Sequence, residues 1–518
     1  MKRLFVCFIL LTLLLSGCSV IEPETEGTQI VLSDEEIMVD GVQITNDSAQ
    51  AVYAACDIVY YPAGKDFTFG EGTDADAHEQ SEADAHTVVH ITKPGRYVLS
   101  GTLSRGQIAV DLGEGAEDNP DAVVTLVLNG VDITSTVAPA IIFYNVYECC
   151  SSDEETATKD VDTSKAGANV ILADGAENNI TGSYVAKIYK SYELNEEGTE
   201  VVDSKKLHKY DAAFYSRKTM NISGEKKGTG ILNINAENEG LDSELHLTIN
   251  GGVINITSGN DGINTNEDNV SVTTMNGGTL NILCNGSTGE GDGIDSNGWL
   301  VINGGTVIAQ ACATSGDAGI DSDKGIYING GRVIASGNML DQISGGDQTY
   351  AVFSFAGRQN GGETYFLKDA SGKVVGEYTP ANGFTYLIVA GDALTPGDYT
   401  FWQGDTQLSA TAMQNMQGGK GERPDWQQGT PPDGMERPQH LEGERPQMPD
   451  GQMQNGEPPQ MPDGEMPNGE PPEMPDDMTP PDDMGGMIGG NRIPAGEMSP
   501  LFTIGKGGNL FSNVSPAN

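Results

Sequence analysis

Positive charge is scarce in this chain. Its 518 residues carry 28 Lys and Arg against 75 Asp and Glu, a formal charge of −47. That balance excludes binding of nucleic acid or anionic lipid through the protein's own charge and favours divalent cations. Aromatic residues, the usual platforms for sugars, make up only 6 %, so binding of a sugar fits the composition only in part. Beyond Cys18 the cysteines are Cys56, Cys149, Cys150, Cys284 and Cys312. The number is odd and no CxxC occurs, so neither a disulfide framework nor a zinc site is indicated. No HExxH, phosphate-binding glycine loop, EF-hand pattern or Ser-His-Asp set is present.

Long apolar runs are lacking as well, with one exception at the start. "MKRLFVCFILLTLLLSGCS" has a basic Lys2-Arg3 head, an apolar stretch over 4–15, and small residues directly before Cys18. A run this short with these flanks is an export signal rather than a membrane span. The small-residue pair before the cysteine resembles a bacterial lipobox. The expectation is a lipoprotein signal over 1–17, lipidation at Cys18, and a tether over 18–29 that holds the protein on the outer face of the cell membrane.

What the chain has is repetition. "NGG" recurs at 250, 276, 303 and 329, at spacings of 26, 27 and 26, and an alternating strand follows each copy. Alignment of these strands stacks Ile254, Leu280, Val307 and Val333 at one inward position. Ile256, Ile282, Ala309 and Ala335 share the next. A fixed period with strands, glycine turns and no helical periodicity predicts a β-solenoid. About 26 residues per coil fit three short strands and their turns, so the predicted fold is all-β, a right-handed parallel β-helix over 30–349. Residues 350–412 lose the period and read as a C-terminal β cap. Residues 413–498 hold 12 of the 17 Met, and 16 of the 25 Pro fall between 424 and 494. That segment offers no periodic apolar face and is expected to be disordered. Residues 499–518 are apolar again and are expected to return to the cap. Residues 147–167 and 186–209 read as polar insertions.

A short acidic phrase precedes the NGG strands: "EGLDSE" at 239, "DGINTN" at 261, "DGIDSN" at 292 and "AGIDSD" at 318. Asp242, Asp295 and Asp321 each lie 8 residues before the Asn of their NGG, whereas Asn264 lies 12 before its own, so that coil is expected to bulge. In a parallel stack, equivalent carboxylates at about 4.8 Å repel by about 3 to 4 kcal/mol at an effective dielectric near 20. Few Lys or Arg lie near to offset this. Hard oxygen donors on glycine-bent loops suit Ca²⁺, with Asp242, Asp261, Asp292, Asp295, Asp321 and Asp323 as ligands. Solvated Asx turns are the competing reading. The stacked Asn250, Asn276, Asn303 and Asn329 read as a structural ladder. Trp299 and Tyr327 are the candidate sugar-binding residues in the coils. No catalytic residue is assigned. Lys324, next to Asp323, with Arg332 one turn later, is the candidate base for an alternative in which a calcium-dependent pectate-type lyase removes a proton from a uronate.

The segments "IVLSDEEIMVDGVQI", "AVYAACDIVYYPAGKDF", "ITKPGRYVLSGTLSRGQIAVDL", "VTLVLNGVDITS", "ILADGAENNITG", "DAAFYSRKTMNISGEKKGTGILNI" and the "DGI[DN]" coils resemble a known family. It is that of exported clostridial carbohydrate-binding lipoproteins with a polysaccharide-lyase-like parallel β-helix, related in fold to pectate lyases. The resemblance covers about 30–405. It implies binding of cellulose and of acidic plant polysaccharide such as polygalacturonate, with calcium in the fold. The Met/Pro tract and the Cys149-Cys150 insertion lie outside its pattern. Three function classes follow: a cell-surface binding module, a lyase, and a surface structural protein without a glycan ligand.

Overall fold

The computed structural model describes residues 26–413 and 497–517. The expected signal segment, the lipidation site Cys18 and nearly all of the Met/Pro tract lie outside the described residues. The described chain is all-β, with one four-residue helix, Gln80–Ala83, and one 3-10 turn. Among the described residues no helix is long and apolar enough to cross a membrane.

Three parallel ladders run through the repetitive region. The first contains Ile141–Asn145, Ala212–Ser216, Glu239–Ser243, Ile263–Thr265 and Ile294–Ser296. The second contains Met220–Gly224, His246–Ile249, Val272–Met275, Trp299–Ile302 and Gly325–Ile328. The third contains Ile231–Ala236, Val253–Ser258, Thr279–Cys284, Thr306–Gln310 and Arg332–Gly337. The chain visits the ladders in turn, one strand in each per repeat as far as Thr306–Gln310; the phrase at 318–323 then stacks without forming a strand. Ile254, Leu280, Val307 and Val333 pair in register, as do Ile256, Ile282, Ala309 and Ala335, and all eight are buried in one core.

Between the second and third ladders the NGG turns stack. Each asparagine donates its side-chain amide to the one below: Asn276 to Asn250 at 2.9 Å, Asn303 to Asn276 at 2.9 Å, Asn329 to Asn303 at 2.8 Å. Such a ladder satisfies groups that a stack of identical turns would otherwise leave facing one another. The last glycine of each NGG sits at positive φ, and a Cβ on Gly278 would lie 2.5 Å from the Gly252 carbonyl, so no larger residue fits there. A second ladder, absent from the sequence reading, runs Asn281 to Asn255 to Asn233 to Asn179 along the third ladder's outer side.

The coil that contains Asn264 keeps its strand in register. Asn264 pairs with Asp242 on one side and Asp295 on the other. Its extra residues are taken up in the turn over 266–271, where Asn269 adopts φ 62°. The bulge therefore lies after the acidic phrase.

Arg332–Gly337 pairs antiparallel with Phe384–Ala390, which ends the parallel run. The strands beyond it enclose a separate aromatic core of Phe353, Phe355, Phe384, Phe401, Phe502 and Phe511. Gly508–Pro516 pairs with both Tyr350–Gln359 and Thr406–Met413, and Met498–Ser499 pairs with Thr406–Met413.

Candidate functional site

Each residue of the acidic phrase has a fixed task on the first ladder. In the second position, Gly240, Gly262 and Gly293 pass over side chains of the third ladder: a Cβ on Gly262 would meet Ile282 Cγ2 at 2.2 Å. Leu241, Ile263, Ile294 and Ile320 follow and fill the core. Ser243, Thr265, Ser296 and Ser322 end the phrase buried. The Ser243 and Ser296 hydroxyls close the next turn by donating to the carbonyls of His246 and Trp299. What remains is acid and amide. Glu239, Asp261 and Asp292 form one column, and Asp242, Asn264, Asp295 and Asp321 the next.

At the lower end three carboxylates converge. Single oxygens of Asp211, Glu239 and Asp242 lie within 4.8 Å of one another, and all three residues are buried, Asp242 fully. Burial, with the charge of Asp242 next, pushes Glu239 well above the carboxylate range. Burial, with Asp211 and Glu244 next, does the same to Asp242. Asp211 also rises through burial, against the pull of Lys209, whose ammonium sits 2.7 Å from it. From the coil above, Asn264 donates to Glu239 Oε1 at 3.2 Å. Two buried oxygens beside this bond, Glu239 Oε2 and Asn264 Oδ1, accept nothing. A buried carboxylate oxygen without a donor costs free energy unless a cation meets it. These oxygens fit a hard divalent ion, which takes six to eight of them.

The lid over this cluster is a two-stranded hairpin, Val185–Leu194 with Val201–Tyr210. It delivers Lys209 to Asp211, and Lys206 to Glu244 at 2.8 Å. This hairpin is the polar insertion expected over 186–209, and nothing in its sequence marks Lys206 and Lys209 as neighbours of the acids; Asp211 lies just past it, ahead of the repeats. Glu239 lies in a quoted phrase, but its match to the Asp261 position went unused.

The other candidate ligands divide into two groups. Asp261 and Asp292 accept backbone N–H groups from the next coil, of Asp292 at 2.6 Å and of Ala318. Burial outweighs these bonds and carries Asp261 to about 7 and Asp292, with Asp261 as its main charged neighbour, to about 9. Asp295, Asp321 and Asp323 form the upper, more open end. Burial, then the charges of Asp321 and Asp323, lift Asp295 to about 6. Asp323 is exposed.

Trp299 and Tyr327 project outward from the second ladder, around a corner from the acidic columns, with Leu300, Ile326 and Ile328 pointing inward. Both are partly covered. The insertion over 147–167 lies on this face: Lys159 stands 5.2 Å from the Tyr327 ring, and Thr163 bonds Asn221 and Thr248 at 2.8 and 2.9 Å. Lys324 lies 3.9 Å from Glu154 of the same insertion.

The family model described as "Carbohydrate-binding domain-containing protein" matches residues 85–360, more than half of the chain. The chain belongs to this family. A carbohydrate-binding domain-containing protein of Acetivibrio thermocellus is 32 % identical to it over 169 residues, which is 32 % of this chain and 44 % of that protein's length. The solved structure of a polysaccharide lyase-like protein from C. thermocellum, a gadolinium derivative, aligns with a TM-score of 0.35 at 23 % identity, over 62 % of this chain and 92 % of that one.

Proposed function

We propose that this protein binds an acidic plant-type polysaccharide, polygalacturonate-like, at the cell surface without cleaving it, and that calcium serves both fold and ligand. The observation that carries the reading is the buried Asp211–Glu239–Asp242 cluster with its unpartnered Glu239 Oε2. Calcium there would neutralise charge that Lys209 alone does not balance. The open Asp295, Asp321 and Asp323 end is where carboxylates of chain and polymer would share a cation. The family supports a carbohydrate ligand, and the charge of −47 disfavours a polyanion without a bridging cation. In this reading the three ladders are the faces of a parallel β-helix, right-handed because parallel crossovers nearly always are, and Cys18 carries the lipid anchor. Cellulose is the neutral alternative ligand.

A lyase needs a neutral base beside the cation. Although burial lowers it, the Asp211 carboxylate holds Lys209 above its ordinary value and therefore charged. Lys324 faces Glu154. Neither arrangement favours proton removal. Electrophoresis through gels containing polygalacturonate or cellulose tests the reading: retardation by polygalacturonate in Ca²⁺, lost in chelator, supports it. Retardation that persists in chelator, or release of unsaturated uronate products, overturns it.

A further inference from the structure

The Cys149-Cys150 pair takes no part in the acidic ladders. Its thiols lie 3.1 Å apart, half-buried, within the insertion over 147–167 that lies on the second ladder. Opposite them stands His246, only 1 % exposed. The backbone N–H of Val272 donates to His246 Nδ1 at 3.0 Å. With Nδ1 accepting, Nε2 is the ring nitrogen left to donate. The Cys150 sulfur thus has two neighbours able to donate to it, the Cys149 thiol at 3.1 Å and the His246 imidazole. A cavity of about 330 Å³ opens in front of both thiols and His246, walled by Thr156, Thr158 and Val270.

A metal site is the first alternative, because Glu148, Cys149 and Cys150 cluster within 4.8 Å. Two features weigh against it. Both Glu148 oxygens already accept backbone N–H groups, of Cys150 at 3.0 Å and Thr219 at 2.8 Å. His246 carries its proton on the nitrogen that would have to bind, and a ligating histidine instead donates through its other nitrogen. Two thiolates remain, short of the four donors that zinc takes.

We propose that Cys149 and Cys150 form a thiol–disulfide exchange site for small-molecule disulfides, with Cys150 as the attacking thiolate, Cys149 as the resolving thiol and His246 as the positioning residue. Cys150 sulfur attacks one sulfur of the disulfide, forming a mixed disulfide and releasing one small thiolate. Cys149 then loses its proton to that thiolate and attacks Cys150 sulfur, releasing the second. The small disulfide is reduced to two thiols and the pair is oxidised to one Cys149–Cys150 bond. The Cys149 thiol hydrogen bond, then the His246 contact, outweigh burial and draw Cys150 down to about 5. Adjacent Cα atoms are about 3.8 Å apart, below the usual disulfide span, so the closed ring reopens readily.

The test uses the full chain with Cys7→Ser, Cys18→Ser and Cys56→Ser, which removes the two thiols outside the described residues and the exposed one among them and leaves the buried Cys284 and Cys312, and a chromogenic aromatic disulfide as probe. The expected result is release of two aromatic thiolates per chain and a product lighter than the reduced chain by two hydrogens, with 149 and 150 linked in one peptide. Cys149→Ser should release one and stop at a mixed disulfide on Cys150; Cys150→Ser should lose the fast phase. Between about pH 8 and about pH 6 an unstructured cysteine peptide slows by roughly a hundredfold as its thiolate fraction falls. The pair should slow by less than about fivefold, and His246→Gln should restore a steep profile. Attack led by Cys149, a pH profile as steep as the peptide's, or a purified chain whose two thiols are blocked by a bound metal would each overturn the proposal.

Discussion

Asn266 donates its side-chain amide to both carboxylate oxygens of Asp242, at 2.9 and 3.0 Å, from the coil directly above. Asp242 is fully buried, so these two bonds are its nearest compensation within the chain. Asn266→Leu removes both. A hydrogen bond between uncharged groups is worth about 0.5 to 1.5 kcal/mol and one to a charged group about 1.5 to 3 kcal/mol. Burial favours the protonated Asp242 carboxyl when no cation is bound. Denaturant unfolding should therefore show a loss of about 1 kcal/mol in chelator and a larger loss, about 2 kcal/mol, in calcium, where Asp242 ligates as a carboxylate. An unchanged midpoint in both conditions would show that Asn266 does not hold Asp242 in the fold.

Glu239→Gln gives a test in which stability and cation response move in opposite directions. In chelator the amide removes a buried acid beside Asp211 and Asp242, and the melting temperature should rise. In calcium the benefit should shrink or vanish, because a ligand that binds only the folded state at 100 times its dissociation constant adds about 2.7 kcal/mol. Thermal melts of both proteins in both buffers measure this directly. A parallel shift of the variant in both buffers would exclude Glu239 from the cation site.

Acid should stabilise the cation-free protein. Burial raises Asp292 to about 9, Asp261 to about 7 and Asp295 to about 6. A carboxyl whose folded value exceeds its unfolded one binds its proton more tightly when folded. Its contribution is therefore fully present below the unfolded value, about 3.9, and is lost as pH rises through the folded one. In chelator the melting temperature should climb as pH is lowered from about 9 towards about 5, and saturating calcium should flatten that slope. Falling stability over the same window in chelator would mean that these acids are paired rather than stranded.

Much of the architecture was legible because a repeated sequence writes its strand period on its face. Ile254, Leu280, Val307 and Val333 align by counting alone, and so does the NGG ladder. Asn264 misled the count only because its offset was measured to NGG, past a turn that absorbs the extra residues. Glu239 could have been found by aligning the first position of each phrase, where Asp261 and Asp292 also stand. Asp211 could not, because it precedes the repeats and reaches the cluster through the strand Ala212–Ser216 that pairs onto the acidic ladder. Lys209 arrives on a hairpin whose resting place is a tertiary matter. The same limit applies to Tyr327, legible as an outward aromatic but not as a residue that Lys159 of a folded-back insertion reaches.

The most direct test of the shared cation is calorimetric titration of calcium into the protein with and without polygalacturonate fragments, corrected for calcium bound by the fragments alone. Coupling between two ligands is reciprocal. The account predicts that the fragments tighten calcium binding by the same factor by which calcium tightens binding of the fragments, and that Asp295→Asn together with Asp321→Asn abolishes this coupling while calcium still binds at Asp211, Glu239 and Asp242. Calcium affinity that is identical in the presence and absence of the polymer would contradict it.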